Sequence, residues 1–475
     1  MNHQDTRTAA AEQRHGLTGS ESELPQPVIN FTREAREGHL GARRSLILVV
    51  LASLVLLDGM DTQMLGVIAH RMAIELSLPL SSFGVVFSSG LLGAIVGALV
   101  MSPLADRLLG RKRITVFAMA TASLLTIATP FATNLLGLLA VRFVTGVGLG
   151  AAMPSIFTLA AEFSPQRFAR LITSCLVAFV PLGSFLVGVS GRAVVPDFGW
   201  HMLMYVGGCL TLALTLLAAV VLPESVYFLL RIKNDTRKAA IAAKRLMPRL
   251  AFGTLVVDEA DPRAEIKQPV ARLFSPELWR FTLLIWMAFI LNQGILYFVL
   301  SWTPALLSKS GLAITAGMNA AAMFGLGGAF GTVAQGWLAS RMNIYKLMLV
   351  EMALYLIAIL CMPLLLGNPI LAPATVFFIS FGMCAYNAGY ILILIESYPN
   401  DIRTTGFGWA FGVGRIGATG APVFAGMLVG LGWTAGQIFA AAALPGVISA
   451  FLLMSIALMF RRGHRKAASL TSAHG

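Results

Sequence analysis

Apolar runs of about twenty residues, each bounded by polar or charged clusters, recur along the whole of this 475-residue chain. At about 1.5 Å rise per residue, such a run is long enough as a helix to cross the roughly 30 Å hydrocarbon core of a bilayer. The pattern predicts twelve spans, over residues 45–69, 82–101, 114–133, 135–161, 168–191, 200–222, 280–302, 313–339, 346–366, 370–396, 405–430 and 434–460. All twelve are expected to be helices, because hydrocarbon offers no other partner for so many backbone groups.

The longest polar interruption, residues 223–279, divides the spans six and six. The expected fold is therefore an all-α integral membrane protein. It has an N-terminal six-helix bundle over 45–222, a central loop over 223–279 and a C-terminal bundle over 280–460. Residues 1–44 are polar and mixed in charge, with Pro25 and Pro27, and are expected to form a disordered tail. They lack the apolar core and cleavage site of a signal peptide, so the first span is expected to direct insertion. Residues 461–475 form a second tail. The basic stretch from Arg231 to Arg249 reads as an amphipathic connector on the membrane surface.

A shift of 234 residues superposes parts of the two halves. Asp106-Arg107 falls on Ser340-Arg341, Glu162 on Glu396, and Asp58 on Asn292, while Gly199-Trp200 meets Gly432-Trp433 at a shift of 233. Paired six-helix repeats around a site near the bilayer midplane are a recurring transporter plan.

Composition agrees: 57% of residues are hydrophobic and only 12% are charged, which excludes an ordinary soluble protein. The net charge of +13 concerns topology and not nucleic acid. If the N-terminus is cytoplasmic, all but five of the 35 Lys and Arg fall on cytoplasmic tails, loops or span ends. The five are Arg71, Arg192 and Lys309 outside, and Arg142 and Arg415 within spans. By the positive-inside rule both termini are expected in the cytoplasm. The four cysteines all lie in spans without metal-ligand or redox spacing, and no catalytic triad, phosphate loop or metal cluster is evident. Neither an enzyme, nor a bound cofactor, nor a metal is expected.

Asp58 and Asp61 stand inside the first apolar span. A carboxylate at mid-bilayer costs roughly 2.5–3.5 kcal/mol on insertion scales, so such residues usually serve ion or substrate passage. Their spacing of three places both on one helical face. Asp61 and Arg142 lie at nearly equal depth, about eight and seven residues from the predicted outer face, which makes an ion pair between them the expectation. A nearby guanidinium favours the carboxylate and burial favours the acid, so changing their separation would move a proton. A static pair that only fixes packing is the alternative. Gly93/Gly97, Gly146/Gly150 and Gly408/Gly412 have the small-xxx-small spacing of close helix crossings.

The segment SPLADRLLGRKR, Ser102 to Arg113, resembles the Gly-x-x-x-Asp-Arg-x-Gly-Arg-Lys signature of the major facilitator superfamily, with Ser102 in place of Gly and one residue inserted before Gly110. Within that superfamily the chain resembles the aromatic-acid/proton symporters over residues 45–460. The resemblance rests on DGMDT (58–62), RFVTGVGLGAAMPS (142–155), EFSPQR (162–167), Pro223-Glu224-Ser225, Trp302-Thr303-Pro304 and RTTGFGWAFGVGRIGATGAP (403–422). It implies import of an aromatic carboxylate such as benzoate or a hydroxybenzoate together with protons, by alternating access in a bacterial inner membrane. It also implies that Asp58, Asp61 and Asp106 matter for transport.

Arg415, about ten residues into its span, is the candidate clamp for a substrate carboxylate, since guanidinium binds carboxylate bidentately. Asn292, Tyr297, Tyr386, Asn387, Tyr390 and Trp409 are further candidate substrate contacts, with packing as the alternative for each. Asp106, Arg107, Arg111, Glu162, Arg167, Glu396 and Arg403 gather at cytoplasmic span ends and are expected to form a gate, some of them between the halves. The protein is expected to work as a monomer. Other readings are transport of a different organic acid, sugar or drug, or, in another class, a non-transporting receptor. Neither tail carries a signalling domain, and a receptor would not need acids inside its spans.

Overall fold

The computed structural model describes residues 28–247, 254–256, 270–399 and 402–472. Ten helices among them are long and apolar enough to cross a membrane. One of the ten, Gln166–Val221, runs for 56 residues but holds Gly199 at φ +77°, where the chain reverses and two crossings meet. A further helix, Ile314–Ala339, is diluted in hydropathy by its glycines, Asn319 and Gln335, yet it is 26 residues long and packs among the others. Twelve crossings result: α1 Ala42–Glu75, α2 Phe83–Leu104, α3 Arg111–Ala128, α4 Leu135–Phe163, α5 166–198, α6 200–221, α7 Trp279–Lys309, α8 Ile314–Ala339, α9 Ile344–Leu365, α10 Leu371–Ser397, α11 Arg403–Gly430 and α12 Ala435–Ser472. The start of α1, the α2–α3 turn and the end of α4 share one face, since Arg44 reaches Phe163 and Arg111 reaches Glu162; it is termed the basic face below.

The 234-residue repeat is expressed in packing. Gly93 and Gly97 of α2 lie so close to the Phe143 and Val147 carbonyls of α4 that no Cβ would fit. Gly327 and Gly331 of α8 meet the Phe377 and Phe381 carbonyls of α10 in the same way, each residue 234 positions on from its counterpart. Gly183 of α5 against Leu56 of α1 likewise corresponds to Gly417 of α11 against Ile290 of α7. Gly199 and Gly432 (φ +81°) both turn the chain just before a Trp, Trp200 at the start of α6 and Trp433 two residues ahead of α12, in a conformation other residues seldom adopt. Gly146 and Gly150 of α4 are tight against α2, whereas Gly408 and Gly412 of α11 face open space and make no such crossing.

Contacts between the halves lie toward the face opposite the basic one. Ser88 Oγ donates to the Thr419 carbonyl at 2.6 Å, and the Phe87 ring stands edge-on to Trp302 at 5.5 Å. Gly84 backs onto α11 at Pro422, Gly66 onto α7 at Ser301, and Gly188 onto α8 at Met318.

Residues 28–44, expected within a disordered tail, are structured. Val28–Asn30 pairs in parallel with Thr254–Val256, and Asn30 caps a short helix, Phe31–Glu37. Phe31 and Ala35 enter an apolar cluster with Val226, Phe228, Ala239 and Ala243 from the central loop. Buried Arg44 then ties this helix down, donating to the Ala35 carbonyl and to that of Phe163 at the end of α4. Composition concealed this order because it rests on two apolar side chains and one cation. Residues 1–27 lie outside the described residues. In the central loop, the amphipathic connector is helical over Thr236–Leu246. α12 continues as a helix to Ser472, beyond the predicted end at 460.

Candidate functional site

Between the bundles lies a cavity of about 420 Å³, a volume suited to a small organic ligand. Helices α1, α2, α4 and α5 line one side, and α7, α8, α10 and α11 the other. Its walls run toward the basic face, past Ala98, Phe157, Thr332 and Ile391. At the other end the inter-half contacts close it.

The N-terminal wall carries both aspartates of α1. Asp61 is buried, and its carboxylate lies 3.2 Å from the Arg142 guanidinium. Its second oxygen accepts from Thr126 Oγ at 2.5 Å. Arg142 also donates to Thr129 Oγ at 3.0 Å and to Met204 Sδ, while its Nε has no partner. Asp58, one turn away, is half-buried and faces the cavity with no hydrogen bond or ion pair among the described residues. Thr62 bonds the Asp58 carbonyl and leaves the carboxylate free.

Across the cavity stands Arg415, on the same face of α11 as Phe411, four residues earlier. It has no hydrogen bond or ion pair among the described residues, and Asp58 is within its Coulombic reach. The half-buried guanidinium is thus a free cation in an otherwise largely apolar chamber.

The other candidates divide by helical phase. Tyr297 and Asn387 line the cavity. Asn292, expected to face it opposite Asp58, is fully buried behind the wall and donates to Asn387 Oδ1 at 3.0 Å. Its neighbour Gln293 takes the lining position, with Oε1 unpartnered. Gln293 stands four residues before Tyr297, so their shared face was the available signal; Asn292 is out of phase. Tyr386 and Tyr390 do not line the cavity either. Cys384, Asn387 and Ile391 hold the cavity side of α10, leaving both tyrosines buried on its far side, where their hydroxyls meet at 2.9 Å. Trp409 is 47% exposed, stacks on Trp286 and does not reach the cavity.

The gate candidates cluster within the N-terminal half. The residue inserted before Gly110 is absorbed as a π-helical turn, Ala105–Leu109, closed by the Gly110 amide on the Ala105 carbonyl. The turn presents Asp106 to Arg111 Nε at 2.8 Å, and Arg111 reaches Glu162 at 3.3 Å. Glu162 accepts in turn from Ser225 Oγ and the Tyr227 amide, while Glu224 accepts from the Lys112 amide. Among the described residues, Arg107 is exposed without an ion pair, Arg167 covers the Phe168 ring, and Arg403 Nε is buried without a partner. The Glu396 side chain lies outside the described residues. The expected inter-half gate is not formed among the described residues, because the halves are parted on this face.

Comparison with known proteins places this geometry. The Major Facilitator Superfamily profile matches residues 51–420. A gallate transporter of Pseudomonas putida is 34% identical, covering 88% of this chain and 92% of its own. A 4-hydroxybenzoate transporter of the same organism is also 34% identical, over 83% of this chain and 88% of its own. Among solved structures, a D-xylose-proton symporter superposes with a TM-score of 0.68 at 15% identity, covering 86% of this chain and 96% of that one, which speaks to the fold alone. Twelve helices in two repeated bundles around a central cavity, the profile match and these relatives together make the chain a multi-pass membrane transporter of the major facilitator superfamily.

Proposed function

We propose that this protein imports an aromatic carboxylate, of the benzoate or hydroxybenzoate class, together with protons across a bacterial inner membrane. The observation that carries the reading is the unpaired Arg415 facing Asp58 across a largely apolar cavity. A ring with one carboxylate matches that chamber: its anion pairs with the guanidinium, and its ring lies against the apolar wall and Tyr297. The names of the gallate and 4-hydroxybenzoate relatives support the same class.

With the basic face in the cytoplasm, as the positive-inside rule directs, the cavity is in its inward-facing arrangement. The Asp61–Arg142 pair is the switch in this scheme. Loading a proton on Asp61 from outside frees Arg142, and release inside restores the pair. Coupling requires that protonation change the relative stability of the two arrangements, because a ligand binding both equally shifts nothing. The protein is proposed to act as a monomer, one cavity per chain.

The test is uptake of labelled benzoate, 4-hydroxybenzoate, gallate and a hydroxyphenylpropionate into proteoliposomes, with and without an inward proton gradient. Accumulation of at least one acid should follow the gradient and disappear in Asp61→Asn. Uptake that ignored the gradient and survived Asp58→Asn with Asp61→Asn would falsify the proposal.

A further inference from the structure

Helix α10 separates two polar regions of the C-terminal bundle. One is the cavity. The other lies behind the helix, where Tyr386 and Tyr390 are buried against α9 and α12. Into it α9 extends Glu351, only 5% exposed, with one carboxyl oxygen lacking any hydrogen-bond partner. Among the described residues it makes no salt bridge. Phenols stand near it: Tyr355 one turn along α9, whose hydroxyl is also unpartnered, and Tyr386 of α10, within Coulombic reach of Glu351 and hydrogen-bonded to Tyr390. α12 contributes Ser449, whose Oγ lies 3.1 and 3.0 Å from the two tyrosine hydroxyls. Gln335 of α8 closes the region near Met348, buried with both amide atoms unpartnered.

An unpaired carboxyl inside a membrane span is costly and usually serves ion passage, which sets Glu351 apart from the packing residues around it. Glu351 is seven residues from the start of α9. At about 1.5 Å per residue that is roughly 10 Å from the basic face, a short path for a proton. On the cavity side, Ser449 Oγ reaches the Ala288 carbonyl of α7, one turn before Asn292, and Asn292 holds the cavity-lining Asn387. Clustered orphan polar atoms of this kind are where internal water completes a hydrogen-bonded chain.

We infer that Glu351 is a second proton-binding group, one that exchanges its proton with the basic-face side during each transport cycle. The inference rests on the proton-coupled reading above. Its test uses the full chain in proteoliposomes with 4-hydroxybenzoate, comparing wild type and Glu351→Gln in three measurements: the infrared band of protonated carboxyl, the proton-to-substrate ratio, and substrate exchange without a gradient. The expected result is a band present in wild type and missing in Glu351→Gln, a ratio lowered by one proton, and exchange retained. An identical band in both proteins, or an unchanged ratio, overturns the inference. Should Glu351→Gln fail to reconstitute, the band in Asp58→Asn with Asp61→Asn decides: a response to added substrate supports the role, and an unresponsive or missing band overturns it. Gradient-independent uptake by wild type sinks the symport reading itself, whereas gradient-driven uptake with an unchanged ratio sinks only the role of Glu351.

Discussion

The Arg142 guanidinium lies 3.2 Å from the Asp61 carboxylate, across 81 residues of sequence and inside the N-terminal bundle. Both side chains are at least nine-tenths buried, and Thr126 and Thr129 hold the pair from either side. Removing one partner of a buried pair strands the other charge, at about 3–5 kcal/mol. Asp61→Asn should therefore lower the thermal midpoint in detergent as well as abolish proton-driven accumulation. Asp61→Asn with Arg142→Gln should regain stability but not accumulation. A double variant as unstable as the single one would show that the pair's charge is not what matters.

The repeated glycine crossings predict matched sensitivity in the two halves. Gly93→Val and Gly327→Val drive a side chain into a carbonyl of the facing helix, with overpacking of at least about 1–3 kcal/mol. Gly412→Ala, in open space, should change stability by less than about 0.5 kcal/mol. Size-exclusion profiles after a heating series would separate the two classes.

Arg415 and Trp409 make a second contrast, since they share α11 but not a face. Arg415→Lys keeps the charge and loses the planar fork, so 4-hydroxybenzoate affinity should fall by roughly tenfold or more. Trp409→Ala should leave it within about twofold, because an exposed residue outside the cavity has no substrate to touch. Equilibrium binding to the purified protein reads both, and equal losses would displace the clamp from Arg415.

Glu162 joins three segments: the α3 start through Arg111, the end of α4, and the Pro223-Glu224-Ser225 turn. Hydrogen bonds to a charged acceptor contribute about 1.5–3 kcal/mol, so Glu162→Ala should speed exchange of the Tyr227 amide by about tenfold or more. Hydrogen-exchange mass spectrometry over residues 223–231 measures this. Unchanged protection there would mean that the turn is held by its own cap at Ser225.

Twelve crossings, their division at the central loop and the repeat were legible in the sequence for a physical reason. Hydrocarbon demands an apolar run of set length at each crossing, and a duplicated bundle keeps its close-contact glycines in register. Gly93 and Gly327 show the second point, since both occupy the crossing that the shift predicts. The likeness in depth of Asp61 and Arg142 was legible too, because rise per residue fixes depth.

Azimuth was harder to read, since in membrane helices apolar residues cover every face and periodicity fades. Asn292, Tyr386, Tyr390 and Trp409 have the right chemistry at a useful depth, but tertiary packing turned them away from the cavity and put Gln293 there instead. Which end of the cavity is shut depends on how two rigid bundles lean together. That is a balance of weak inter-half contacts such as Ser88 on Thr419 and Phe87 on Trp302, none of them local in sequence. The composition of each helix thus determined that it spans and how deep its charges lie. Only the assembled bundles decided which side chains face one another, because rotation about a helix axis is set by its neighbours.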